Sequence, residues 1–283
     1  MSTIAPPTPL PGLAGGRASA RAALAPLGTL SRRRLQLTVR TPRELVVPML
    51  TPILFALIIA PALKAALHTS AAYESFVAIG TIGLLIPLNM MLSGIGVIVD
   101  RETGAQRELL AAPVPRGTLV VANLAVALAV TGLQVATLIA AALLRGIDFT
   151  ASGTGLVWFV ATAALFAVGM YGVAEIVAGR VARQEEYVSR LPVIAILPWF
   201  LAGSLFPISA LPTGLTWIGK LLPLTHALAV MRYGLNGDAS GLHDIWGMSD
   251  PGRMAGLSLL VVAAFATLLT AVAVRRFARS AVR

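Results

Sequence analysis

Residues 76–98 read FVAIGTIGLLIPLNMMLSGIGVI, and residues 100–116, which follow almost at once, read DRETGAQRELLAAPVPR. The first stretch runs from Phe76 to Ile98 without a charged side chain. An α-helix needs about 20 such residues to cross the hydrocarbon core of a bilayer. The second stretch crowds Asp100, Arg101, Glu102, Arg107 and Glu108 into a short polar segment that Pro113 and Pro115 bring to a stop. The pair reads as a membrane span opening into a charged loop.

The same pattern recurs along the chain. Apolar runs predict spans at 46–66, 76–98, 118–144, 155–178, 191–209 and 254–274. Composition agrees: 57% of the 283 residues are hydrophobic and 12% charged, where soluble domains carry roughly a quarter charged residues. Mean hydropathy is +0.84, too apolar to be hidden in one aqueous core.

Orientation follows from the basic residues, which gather on the cytoplasmic side of membrane proteins. With six spans, one side holds Arg17, Arg21, Arg32, Arg33, Arg34, Arg40, Arg43, Arg101, Arg107, Arg116, Arg180, Arg183, Arg190, Arg275, Arg276, Arg279 and Arg283. The other holds only Lys64, Arg145, Lys220, Arg232 and Arg253. The expected fold is therefore an all-α polytopic membrane protein with both termini cytoplasmic. Residues 1–27 read as a disordered cytoplasmic tail, 28–44 as an amphipathic interfacial helix, 45–275 as the six-span domain and 276–283 as a second tail. Between spans five and six, Pro207, Pro212, Pro223 and Lys220 break the apolar pattern, which predicts short re-entrant helices followed by an external loop. The net charge of +10 does not mark a nucleic-acid binder, because the arginines sit at the ends of apolar runs rather than on one soluble face.

Hydrolytic chemistry leaves no trace. There is no cysteine, no His-Glu-x-x-His zinc helix and no Gly-x-Ser-x-Gly elbow. His68, His226 and His243 lack metal-ligand spacing. Gly214 to Leu221 approaches a phosphate-binding loop, but Leu221 stands where Ser or Thr must hold magnesium. No cofactor site and no ATPase is visible.

Two readings of the 100–116 segment stand side by side. It is an ordinary solvated loop, or it is a docking helix whose charges set orientation while Leu109 and Leu110 enter a partner's groove and Gly104 permits close backbone approach. Within the spans, polar side chains are costly and mark function or interhelical contact. Asn123 and Gln134 lie eleven residues apart, on nearly one face of the third span. Asn89 and Ser93 share a face of the second. Glu175, one turn from Tyr171, snorkels to the interface, pairs with Arg180 or Arg183, or contacts cargo.

The segment with Glu102, Gly104, Glu108, Leu109, Leu110, Ala112 and Pro113 resembles the loop before the third span of type-2 ATP-binding-cassette exporter permeases of the daunorubicin-resistance-like class. Leu191-Pro192, Gly203, Phe206-Pro207, Leu211-Pro212, Leu222-Pro223-Leu224-Thr225 and Arg232 resemble that family's fifth span and external re-entrant helices, and Arg40-Thr41-Pro42 with Pro48 and Pro52 its entry to the first span. His226 departs from the family's frequent Tyr. The resemblance covers most of residues 40–275. It implies a permease half in a bacterial inner membrane that pairs with a second, identical or homologous half. Each half would dock a cytoplasmic ATPase subunit through Arg101, Glu102, Gly104, Arg107, Glu108, Leu109 and Leu110. ATP and magnesium would sit on that partner. The cargo would be a hydrophobic or amphipathic drug, antibiotic or lipid, with Asn89, Asn123, Gln134 and Glu175 as candidates along its path. The rival readings are a carrier driven by an ion gradient, for which Glu175 is the one plausible intramembrane carboxylate, and a lipid-modifying enzyme or scaffold, for which no catalytic constellation exists.

Overall fold

The computed structural model describes residues 71–105 and 116–280 continuously, with 27–33, 35–36 and isolated positions between 50 and 65. Among the described residues the chain is helical without strands. Residues 27–33 and 35–36 are helical, with Arg32 and Arg33 exposed, inside the stretch expected to lie at the interface. The remainder of that stretch and nearly all of the first expected span, 46–66, lie outside the described residues.

Among the described residues, four helices are long and apolar enough to cross a membrane. They are α1 (Ala71–Glu102), α2 (Arg116–Leu144), α3 (Gly153–Ala178) and, last in the chain, Pro251–Ser280. Each covers an expected span and extends it by a few residues. Between α3 and the last helix come α4 (Gln184–Leu191), a π-helical turn (Pro192–Ile196), α5 (Leu197–Leu201), a 3₁₀ turn (Ile208–Ala210), α6 (Thr213–Leu221), α7 (Pro223–Asn236) and α8 (Ser240–Trp246). The last helix is α9. Local chemistry sets several ends. Ser152 accepts from the Gly155 amide at the start of α3 (3.0 Å), and Asp250 accepts from the Gly252 and Arg253 amides at the start of α9 (2.9 and 3.2 Å). Pro223 opens α7, where its missing N–H costs nothing.

The fifth expected span is corrected in its bounds. The helical run is Gln184–Leu201, not 191–209. Gly203 adopts φ +77, which ends the run, and the chain then turns through Ser204 to Pro207. Upstream, the polar Gln184-Glu185-Glu186 turn belongs to the helix because Tyr187 and Leu191, one turn apart, are buried beneath it.

α3 stands at the centre, packed against α1, α7 and α9. The spans are apolar on all sides, so lipid-facing and buried faces are distinguished by size rather than polarity. Leu133, Val157, Val160, Leu260 and Leu268 point outward. Small residues are placed where backbones meet. A Cβ on Gly169 would stand 2.5 Å from Phe265 of α9, and one on Gly172 2.8 Å from the Leu269 backbone.

α6 and α7 form a helical hairpin that dips into one end of the bundle. Leu224 and Leu228, early in α7, lie against Gly83 of α1. Asn236, at its far end, donates to Ser75 (3.0 Å) in the first turns of α1. Gly83 is about 12 Å further along α1 than Ser75 at the usual helical rise. α7 thus starts within the bundle and runs outward, burying most of its side chains in protein. It leaves beside α3, where Gly234 and Gly155 face each other so closely that a Cβ on Gly234 would come within 2.5 Å of the Gly155 carbonyl oxygen.

Gly234→Ala is expected to lower the melting temperature of the detergent-purified protein by an amount equivalent to about 1–3 kcal/mol. Gly132→Ala, where an added Cβ meets none of the described residues within 4 Å, is expected to be neutral or mildly stabilising because Ala is the better helix former. Equal melting temperatures for the two variants would show that the α3–α7 approach is not tight.

Candidate functional site

The α1–α2 loop begins where α1 runs out. The Thr103 amide and hydroxyl both donate to the Val99 carbonyl (2.9 and 2.8 Å), and the Gly104 amide donates to Arg101 O (3.2 Å). Gly104 has φ +78, and among the described residues nothing lies within 4 Å of a Cβ placed there. Its backbone angle by itself calls for glycine.

Arg101 turns back into the protein. Its guanidinium donates to Ala178 O (3.2 Å), Val181 O and Ala182 O (3.5 Å). These carbonyls close the C-terminal end of α3 and the turn into α4, where a cation is favoured by the helix dipole. Glu102 is exposed beside it. Arg107, Glu108, Leu109 and Leu110 lie outside the described residues.

α4 occupies the same end of the bundle, and sequence reasoning missed it. The Tyr187 hydroxyl donates to Met91 O of α1 (2.7 Å). Glu185 and Glu186 are exposed, and Glu186 pairs with Arg190 at 2.5 Å one turn on. The signal was present: an acidic first turn followed by apolar residues four apart. Hydropathy alone does not register it, because the first turn of α4 is polar.

The intramembrane polar residues do not converge. Asn89 of α1 donates its amide to the Gln134 Oε1 of α2. Gln134 is 1% exposed, and its Nε2 and the nearby Thr131 hydroxyl are buried without a partner among the described residues. Ser93 is satisfied locally by Met90 O (2.6 Å). Asn123, half-buried, lies about 16 Å along α2 from Gln134. Glu175 accepts from Tyr171 at 2.5 Å, and the same hydroxyl lies 3.3 Å from Val120 O. The structure therefore joins Asn89 to Gln134, and leaves Asn123 and Glu175 nearer the α1–α2 loop.

At the opposite end, side chains lock the hairpin. His226 lies 3.0 Å from Lys220 O and 3.2 Å from the Ser258 hydroxyl of α9, which also accepts from Trp246 (2.8 Å). Arg232, 4% exposed, donates to Ser204 O (3.1 Å) and Phe76 O (3.4 Å) and lies over the Phe76 ring. Burial pushes its guanidinium down to about 9, and the Asp238 carboxylate works against that drop. It stays charged at neutral pH. Among the described residues no three His, Asp or Glu side chains gather as metal ligands. Lys220, the apparent phosphate-loop lysine, lies instead 5.4 Å from the Trp217 ring centroid.

Long apolar helices, one charged end and one hairpin-capped end are the features of a multi-pass membrane domain. The chain belongs to the ABC-2 type transporter family, whose model matches residues 26–236. Membrane domains of this family lack ATPase activity of their own and pair with ATP-binding-cassette subunits, so the transport is ATP-driven. A search of curated proteins found no match.

Interhelical glue and a cargo contact make different demands on Asn89 and Gln134. As glue, Asn89→Leu and Gln134→Leu are each expected to cost roughly 0.6–2 kcal/mol, and the double variant no more than the larger single cost. Strictly additive losses in detergent unfolding would show that the two amides act independently.

Proposed function

We propose that this chain is the transmembrane subunit of an exporter in a bacterial inner membrane, with six spans and both termini cytoplasmic. It moves a hydrophobic or amphipathic molecule (a drug, an antibiotic or a lipid) out of the cytoplasm or the inner leaflet. A second permease half, identical or homologous, completes the pathway. The cytoplasmic ATPase docks on the segment from Arg101 to Leu110.

The family match across residues 26–236 carries this reading, because it spans the charged segment, α3 and the hairpin together. The local geometry supports it. Glu102 is exposed where α1 ends, while Arg101 anchors that end to the α3–α4 turn. A charged loop tied to two helices offers a partner something firm to push on. The resemblance to the daunorubicin-resistance-like class supports an apolar cargo. The ion-gradient reading has weaker support, since Glu175 is 9% exposed and hydrogen-bonded by Tyr171.

Glu102→Ala combined with Glu108→Ala is expected to release the ATPase on purification and to abolish export, while the melting temperature of the permease is kept. Retained docking and export in that double variant would remove the segment from energy coupling. Export that survives ATP depletion and collapses with the ion gradient would replace the proposal with the rival one.

A further inference from the structure

A cavity of about 460 Å³ lies at the hairpin-capped end, between the first turns of α1, the α2–α3 loop and the end of α7. Its volume is in the range of small-molecule sites. About 40 Å of α1 separates it from the charged α1–α2 loop. Asp148 and Asp238 both line it, and among the described residues no basic one does. That is contrary to a chain whose net charge is +10. Asp148 is exposed, and Asp238 is half-buried with one carboxylate oxygen accepting from the Ser240 amide (2.9 Å).

The remaining wall is mixed. Tyr73 and Phe76 stack with centroids 6.2 Å apart. The Tyr73 hydroxyl donates to Leu205 O (2.9 Å), so its ring is held in place. Asn236 donates to Ser75, and its own Oδ1 is buried without a donor among the described residues. The wall thus offers two carboxylates and a fixed aromatic pair, and asks for a positive charge carried on an apolar body. A bare metal ion fits less well, because the space is far larger than one ion and no third carboxylate or imidazole joins the two among the described residues.

We propose that this cavity binds an organic cation. The carboxylates of Asp148 and Asp238 hold the charge, and the Tyr73–Phe76 pair receives the apolar body. The site needs neither nucleotide nor an ATPase, so it stands independently of the docking segment.

The test uses the full chain purified in detergent and two ions of the same shape and opposite charge, tetraphenylphosphonium and tetraphenylborate, in equilibrium dialysis. Tetraphenylphosphonium is expected to bind saturably, and Asp148→Asn with Asp238→Asn to weaken it by roughly tenfold or more. Asn keeps the capping acceptor at position 238. Thr150→Trp, in the exposed cavity wall, is expected to block binding without altering either charge. Equal binding of both ions, or tetraphenylphosphonium binding unmoved by all three substitutions, would mean partition into detergent or apolar surface and overturn the proposal. Calcium binding at micromolar concentration without tetraphenylphosphonium binding would make this an inorganic cation site and overturn it equally.

Discussion

The chain breaks its helix after Leu201 inside a bundle built for lipid, and much of the architecture follows from having to satisfy that break. Irregular backbone survives at such a place only when its polar groups find partners in protein or water. Here Arg232 receives Ser204 O, Tyr73 receives Leu205 O, and Trp199 donates to Gly80 O at 2.7 Å. Gly80 admits the turn at all, since a Cβ there would meet the Ser204 carbonyl oxygen at 2.0 Å. A buried arginine with no carboxylate hydrogen-bonded to it would be costly in an ordinary core. Here its Nη2 serves the Ser204 and Phe76 carbonyls and the Phe76 ring takes the face of the guanidinium, while Nε has no partner among the described residues. The hairpin is the means by which that arginine is delivered.

The opposite end solves a related problem with the same residue type. α3 ends at Ala178 with carbonyls that have no helical partner, and Arg101 supplies donors to them from α1. Arginine suits both places because its planar fork serves several acceptors at once and it stays charged when partly dehydrated. The two ends differ in what remains outside. Beyond Arg101 lie exposed acids on α1 and α4. Beyond Arg232 lies a cavity lined by Asp148 and Asp238.

Much of the fold was legible in sequence because hydrophobic length is a coarse signal that lipid enforces strictly. α1, α2, α3 and α9 each fell where an apolar run placed them. The prolines and Lys220 marked the region of the hairpin for the same reason, since each is expensive in a continuous span. The end of the fifth helical run was not legible. Gly203 reads as one more small apolar residue until its φ is known, and an apolar window runs straight through it. Nor could α4 be seen, because Tyr187 is buried by tertiary packing that hydropathy does not record. Of the candidate site, the polar residues were identified but their partners were not. Spacing placed Asn89 with Ser93 and Gln134 with Asn123, each on its own helix. The bond that forms runs between helices, and a single-helix face says nothing about which neighbour it meets. Arg101 illustrates the same limit: its charge located the loop, while its donors are committed to carbonyls nearly eighty residues away in sequence.

These contacts give α1 a particular mechanical position. It is one helical element of about 48 Å, held near its start by Phe76 and Ser75 to the hairpin and at its end by Arg101 to the α3–α4 turn. A force applied beyond Glu102 therefore has three physical outcomes. It shifts α1 with both arginine clusters intact, carrying α3 and the hairpin along. It bends α1 near Pro87, where the proline already removes a backbone hydrogen bond. Or it breaks buried guanidinium–carbonyl contacts and leaves orphaned groups behind, which is the costliest of the three. The Asn89–Gln134 bond lies within one turn of Pro87, so bending there strains the α1–α2 contact first. α1 is tied to α3 through Arg101 and to α7 through Arg232, so bending near Pro87 falls first on the Asn89–Gln134 pair that joins it to α2.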